Sequence, residues 1–225
     1  MFKKFSFCAL LFALCVSLNF AQTTTTGDYH KVEVFGGYSN NQVDVGVGGN
    51  NGGGLEEFFS DRESFNGVNI AATGNINRYV GIKGDFSAHF KNFTFRVPAV
   101  GTTPATDVDV DGSLYNFLGG VQVKDNSRGG SRLRPFGHAL AGVAHGRTEI
   151  DDQFFTSAFC SQPGIDCRQD VIESDTGFAA SLGGGLDVKA TDRISVRAFQ
   201  VDYNPTRLAG STQHNFRFGI GVVFH

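Results

Sequence analysis

The last ten residues, Phe216 to His225, do most to limit what this chain can fold into. They read Phe-Arg-Phe-Gly-Ile-Gly-Val-Val-Phe-His. Phe216, Phe218, Ile220, Val222 and Phe224 share one parity, while Arg217, Gly219 and Gly221 share the other. A strand turns successive side chains to opposite faces, so the segment has one continuous apolar face backed by a small, charged one. Such a strand suits lipid on one side and a narrow, packed lumen on the other.

The opposite end has a different character. Lys3 and Lys4 precede an apolar run from Phe5 to about Phe20, followed by Ala21, Gln22 and the polar tract Thr23 to Thr26. These are the basic, apolar and small-residue zones of a secretory signal peptide, so residues 1–21 are expected to be cleaved and 22–225 to form one domain. A membrane anchor would want roughly 20 apolar residues, and this run is shorter and contains Ser and Asn. Neither Cys8 nor Cys15 follows the small residue that a lipoprotein signal needs. The full chain carries a formal charge of −3, and losing Lys3 and Lys4 makes it more acidic. With no basic cluster to offset that balance, nucleic acid is not expected as a partner. The 30 Gly and 23 Phe, without Trp, match barrels in which glycine relieves crowding between alternating strands.

Eight strands can be drawn from the alternation: about His30 to Tyr38, Ser64 to Asn75, Tyr79 to Phe90, Gly112 to Lys124, Leu133 to His145, Thr176 to Lys189, Arg193 to Tyr203, and the C-terminal segment. Short turns follow the second, fourth and sixth. Longer connections follow the odd ones, namely Ser39 to Glu63, Lys91 to Asp111, Gly146 to Asp175 and Asn204 to Thr212. That order predicts an all-β fold, an eight-stranded antiparallel transmembrane up-and-down β-barrel with long loops at one end. Tyr29 and Tyr79 fall at the short-turn end and Tyr38, Tyr115 and Tyr203 at the long-loop end, giving two expected headgroup-level girdles. A soluble lipocalin-like barrel would need apolar residues inside and a polar exterior, the reverse of this glycine-rich, charged second face.

On these features the chain resembles the outer-membrane β-barrel domain family typified by outer-membrane protein A. The resemblance covers Tyr29 to His225 and rests on Arg134-Pro135-Phe136-Gly137, the run from Arg197 to Tyr203, and Asn215 to Phe224. It implies the outer membrane of a diderm bacterium, both termini in the periplasm, and contact with outer-membrane lipids and lipopolysaccharide. It also implies that Phe216, Phe218, Ile220, Val222 and Phe224 form a signal for the barrel-assembly machinery. Well-known members continue into a soluble peptidoglycan-binding domain, which is not expected here, and His225 follows the terminal Phe224.

The expected lumen charges are Glu33, Lys83, Asp85, Asp187, Arg197 and Arg217, of both signs. Charges at membrane depth must face one another or water, so they predict a closed ionic core, with a narrow gated pore as the alternative. Other chemical signals are weak. Asp107-Val-Asp-Val-Asp111-Gly112 opens like a calcium loop, but Leu118 stands where the bidentate carboxylate belongs. The six histidines lack ligand spacing, so neither metal nor cofactor is expected. Ser87 and His89 could serve an outer-leaflet lipid hydrolase, yet no acid is placed to orient the histidine. Cys160 and Cys167 are the cysteines left after signal removal and share the third long loop; a disulfide is expected there, with two free thiols as the alternative. The Gly- and Asn-rich run from Asn40 to Leu55 is expected to be mobile. The functional expectation is a non-enzymatic barrel serving envelope integrity, or adhesion and recognition of an extracellular ligand through its loops.

Overall fold

The computed structural model describes residues 28–44, 62–97, 105–150, 172–208 and 210–225. The segment 1–21 expected to be a signal peptide, the run 45–61, and both Cys160 and Cys167 lie outside the described residues. Eight strands form one closed barrel: β1 (Val32–Asp44), β2 (Arg62–Asn75), β3 (Val80–Val97), β4 (Thr106–Lys124), β5 (Leu133–Ile150), β6 (Ile172–Lys189), β7 (Ile194–Leu208) and β8 (Ser211–Phe224). Each strand pairs antiparallel with the next, and β8 closes on β1 from Val34 against Phe224 to Gln42 against Phe216. Closure leaves no sheet edge, the condition for placing a ladder in lipid where no water can satisfy spare backbone groups.

The two faces divide as the alternation predicts. Ile70, Ile82, Phe117, Val143, Phe178, Leu182, Phe199, Ile220 and Phe224 are exposed on the outside. Glu33, Lys83, Asp85, Asn116, Asp187, Arg197 and Arg217 are buried inside. This arrangement is the inverse of a soluble lipocalin-like barrel.

The strands run further toward the loop end than the sequence pattern indicates. Residues 39–44, 91–97, 106–111, 146–150 and 204–208, expected as loop, are strand. Their polar composition disguises them, but the ladder continues above the apolar band, with cross-strand bonds such as Thr94 Oγ1 donating to Asp109 Oδ1 at 2.7 Å. Asp107, Asp109 and Asp111 therefore lie along an extended strand instead of wrapping a calcium site, and no metal-binding cluster occurs among the described residues. Of the expected long loop Asn204 to Thr212, residues 204–208 and 211–212 are strand, with Leu208 paired to Ser211 and Gly210 at φ 76°. Pro205, which reads as a strand breaker, falls between the β6–β7 pairs Ala179–Thr206 and Leu182–Tyr203. There Asn204 Nδ2 donates to the Ala180 carbonyl at 2.6 Å, replacing the amide proton that proline lacks.

Glycine matters most at the seam, where Gly37 pairs with Gly221. A Cβ on Gly221 would lie 2.4 Å from the Gly36 carbonyl oxygen, 2.6 Å from Gly37 Cα and 2.8 Å from the Phe35 ring. Backbone cannot yield as a side chain can, so Gly221→Val is expected to cost more than ~3 kcal/mol and to abolish the heat-modifiable folded band on a gel. Gly84→Ala, with nothing within 4 Å of the added atom, is expected to keep that band.

Candidate functional site

The candidate site is the lumen, and alternation on all eight strands aims its side chains inward. All six charges expected there are buried. Lys124 on β4 bridges Glu33 at 2.6 Å and Asp187 at 3.0 Å. Arg197 grips Asp187 with two nitrogens, Nε at 2.8 Å and NH2 at 3.2 Å, and donates through NH1 to Gln200. Gln200 Nε2 in turn donates to Asp202 at 2.6 Å. Arg217 on β8 joins Asp202 at 2.7 Å to Asp85 at 2.6 Å. Lys83 stands 3.8 Å from Asp85 and 3.1 Å from His138 Nδ1, while the other His138 nitrogen meets Asp202 at 2.9 Å. Asn69 of β2 donates to Asp85 at 3.0 Å, so one connected network reaches every strand. The Arg197 guanidinium also lies over the rings of Phe35 and Phe136, 4.2 and 4.1 Å from their centroids.

Removing one partner of such a network strands its opposites in a poorly hydrated interior. Arg217→Met leaves Asp85 and Asp202 without their guanidinium and is expected to cost ~3–5 kcal/mol in urea unfolding from phospholipid. The triple variant with Asp85→Asn and Asp202→Asn is expected to recover most of that loss. A single-variant cost below ~1 kcal/mol would remove the network from any account of barrel stability.

The sequence pattern missed Lys124, Arg134, His138 and Asp202. Asp202 is the instructive case. Arg197 and Asp202 have opposite parity, so strict alternation sends one of them into lipid; a register shift between Arg197 and Gln200 turns both inward. The signal was present, since outward apolar residues switch from even (Ile194, Val196) to odd (Phe199, Val201, Tyr203) across that point. Lys124 and Arg134 flank a turn at strand ends, yet Lys124 reaches into the lumen and Arg134 NH2 donates to the Ser127 carbonyl at 2.7 Å.

The short-turn end is crossed by the residues preceding β1. Tyr29 pairs with Ser127, His30 N donates to the Asn126 carbonyl at 3.0 Å, and Arg128 N donates to the Asp28 carbonyl at 3.0 Å. Arg78 clasps Asp125 with two bonds of 2.9 Å, tying the β2–β3 turn to the β4–β5 turn and holding that carboxyl below its usual range. His30 is buried, its ring centroid 4.4 Å from that of His225. His225 in turn meets Glu33 at 3.0 Å and Ser195 at 2.8 Å. Burial, the His225 ring and Arg134 lower the His30 pKa to about 4. A neutral folded-state imidazole that protonates readily when unfolded costs nothing above about pH 6.5, and its penalty grows as pH falls from there toward 4. His30→Phe is therefore expected to lose less stability than the parent between pH 7.5 and 5.0, read as the shift in urea midpoint.

The remaining sequence candidates are placed as follows. Ser87 and His89 are buried in the lumen and turn to different partners: Asn116 Nδ2 donates to Ser87 at 3.2 Å, and His89 Nε2 meets Ser39 Oγ at 2.9 Å. No acid orients His89 among the described hydrogen bonds, and neither residue sits on the lipid-facing side where a substrate acyl ester would lie. Tyr38, Tyr115 and Tyr203 lie outward on β1, β4 and β7, and Tyr79 and Tyr29 lie at the opposite end. Phe216, Phe218, Ile220, Val222 and Phe224 line the outer face of β8. Above the ionic layer, toward the loop end, the lumen becomes apolar around Val43, Phe65, Leu114, Leu118, Leu140 and Leu208.

An apolar exterior wrapped on a closed ladder around an ion-paired interior defines a transmembrane β-barrel. The chain belongs to the outer membrane protein beta-barrel domain family, whose model matches residues 6–224, and it is accordingly an outer-membrane protein. Its fold is similar to that of Ail, the attachment invasion locus protein of Yersinia pestis, solved with the heparin analogue sucrose octasulfate. The two share 18% identity over 86% of this chain and 97% of that one, with a TM-score of 0.52. Neisserial surface protein A matches at 10% identity over 87% of this chain and 96% of its own, TM-score 0.47. OprG from Pseudomonas aeruginosa matches at 11% over 88% and 97%, TM-score 0.41. No match is found among curated proteins. At such divergence the likeness speaks for the fold alone.

Proposed function

We propose that this protein is a non-conducting, non-enzymatic outer-membrane barrel that supports the envelope and presents its loop end for recognition. The observation that carries the reading is the network running from Glu33 through Lys124, Asp187, Arg197, Gln200, Asp202 and Arg217 to Asp85, which puts fixed, paired charges across the lumen. An ion entering there would have to displace those partners in a low-dielectric interior. The segment from Asp28 to Lys31 crosses the short-turn end and adds a second barrier below the network. In this reading residues 1–21 are removed on export, the short turns face the periplasm, and the outward face of β8 is what the barrel-assembly machinery recognises. The tyrosines mark the two headgroup levels, lipopolysaccharide surrounds the upper band, and Cys160 and Cys167 close a small ring in the β5–β6 loop.

The ladder extensions of β3 and β4 raise Asp107, Asp109 and Asp111, all exposed, above the apolar band. Three carboxylates on one strand face favour a neutral or cationic surface partner over a sulfated sugar of the kind found with Ail.

The test is single-channel recording of residues 22–225 refolded into planar bilayers. Insertion without discrete openings is expected. The double variant Lys124→Ala with Arg197→Ala, which removes the bridges to Asp187, is expected to show openings. Stable openings in the parent would establish the pore reading instead.

A further inference from the structure

The outer face of β3, β4 and β5 carries a depression of about 310 Å³ where the apolar band gives way to the polar ladder extensions. Register explains it. Ser113, a small residue, is paired with Phe90 on one side and Arg147 on the other. One step toward the loop end the row reads Asn92, Asp111 and Glu149, and one step the other way Tyr115 stands against His145. These larger side chains share the outward parity of Ser113 and ring its hydroxyl, with the Gly112 backbone behind. Phe90 meets the Tyr115 ring edge-on at a centroid distance of 5.8 Å, and His145 Nδ1 is held to Thr176 Oγ1 at 2.7 Å. A further step down, Phe117 and Val143 pair and are exposed on the lipid side. The depression therefore lies where a lipid's acyl chains end and its headgroup begins. Its charges are of both signs and unevenly matched. Arg147 pairs with Glu149, and Ser113 Oγ donates to the Arg147 carbonyl at 3.4 Å. Asp111 lies directly opposite Glu149 in the ladder and is exposed, with no hydrogen bond or ion pair among the described residues. Two carboxylates opposed across a strand pair repel each other, and a cation between them relieves both.

We infer that this depression binds the phosphoethanolamine headgroup of a glycerophospholipid, its ammonium toward Asp111 and Glu149, its phosphodiester toward Arg147, and its acyl chains running down past Phe117 and Val143. Charge sets the headgroup class. A primary ammonium donates N–H groups to the unpartnered Asp111 carboxylate, and the aromatic wall of Phe90 and Tyr115 favours a cation beside it. A glycerol headgroup brings no cation, and a choline headgroup brings one without an N–H to donate. A phosphorylated sugar would set its dianion against two carboxylates with one guanidinium to offset them. Size agrees: a dry cavity of about 150 Å³ holds benzene, so a depression about twice that volume takes roughly ten heavy atoms, enough for phosphoethanolamine and too few for a phosphorylated disaccharide. The inference rests on the proposed reading in one respect, that Tyr38, Tyr115 and Tyr203 mark a headgroup level.

The test uses the refolded barrel, with labelled backbone amides, in phosphatidylcholine nanodiscs doped with rising fractions of phosphatidylethanolamine, phosphatidylglycerol or phosphorylated lipid A. Phosphatidylethanolamine is expected to give saturable NMR shifts at Ser113, Tyr115 and His145, while Tyr38 and Tyr203 on the other side of the barrel change little. Half-saturation is expected at a fraction about tenfold lower than for phosphatidylglycerol. Asp111→Asn is expected to erase that preference, and Ser113→Phe, which fills the depression, to weaken phosphatidylethanolamine about tenfold. Both side chains lie outside the lumen, so both variants are expected to keep the heat-modifiable folded band. Equal shifts at Tyr38 and Tyr115, or parent-like binding by Ser113→Phe, would overturn the site. Phosphatidylglycerol or lipid A binding as tightly as phosphatidylethanolamine would overturn the headgroup class. A nitroxide on the lipid headgroup separates this inference from the reading beneath it. Broadening of the Tyr38, Tyr115 and Tyr203 amides is expected. Its absence would sink the headgroup level and the site together, whereas broadening without saturable shifts would sink the site alone.

Discussion

The interior of this barrel has to be electrically self-sufficient. Lipid surrounds the apolar band, and an eight-stranded barrel is only wide enough for its own side chains, so lumen charges have little bulk water to lean on. The chain meets that demand with acids and bases alternating through contact: Glu33 on Lys124, Lys124 on Asp187, Asp187 on Arg197, and Arg217 on both Asp85 and Asp202. Buried pairs of this kind often add little net stability over a hydrocarbon core. Their evident contribution here is geometric, since each bond has a length and a direction that strands of wrong register could not reproduce. Arg197 shows the point: its two bonds to Asp187 and its place over Phe35 and Phe136 require β1, β5, β6 and β7 at one depth.

Along its axis the lumen changes character in three steps. Ion pairs and the segment from Asp28 to Lys31 occupy the short-turn end. Uncharged amides and hydroxyls follow, among them Ser39, Asn41, Ser87, Asn116 and Asn215. Toward the loop end come apolar side chains, joined there by Ser113, Arg147, Thr148 and Gln213.

Much of the architecture could be read from periodicity because lipid outside and packing inside make period two nearly compulsory. Phe216 to Phe224 displays it without interruption, and β3 does the same from Val80 to Phe90. The errors came where another force overrides hydropathy. Lys91, Asn92, Asp107, Asp109 and Asp111 look like loop because they are polar, yet the hydrogen-bond ladder does not require apolar side chains once the strand has left the membrane. Asp202 was hidden by the parity slip after Arg197, and Lys124 by its place beside a turn. Phe35 and Phe136, apolar residues turned inward, make sense only once the cation they cover is known. The burial of Asn41 was not legible at all, since it lay in a stretch read as a mobile loop.

The position of Arg217 also sets an order of events. Asp85 is contributed by β3 and Asp202 by β7, but the guanidinium that joins them belongs to β8, the strand that zips against β1. Until β8 is in place, Asp85 has only Lys83 at 3.8 Å and the Asn69 amide, and Asp202 only His138 and Gln200. Electrical neutrality thus arrives with closure itself. An incompletely wound sheet is penalised by acids short of their guanidinium as well as by its open edges, and the finished ring relieves both together.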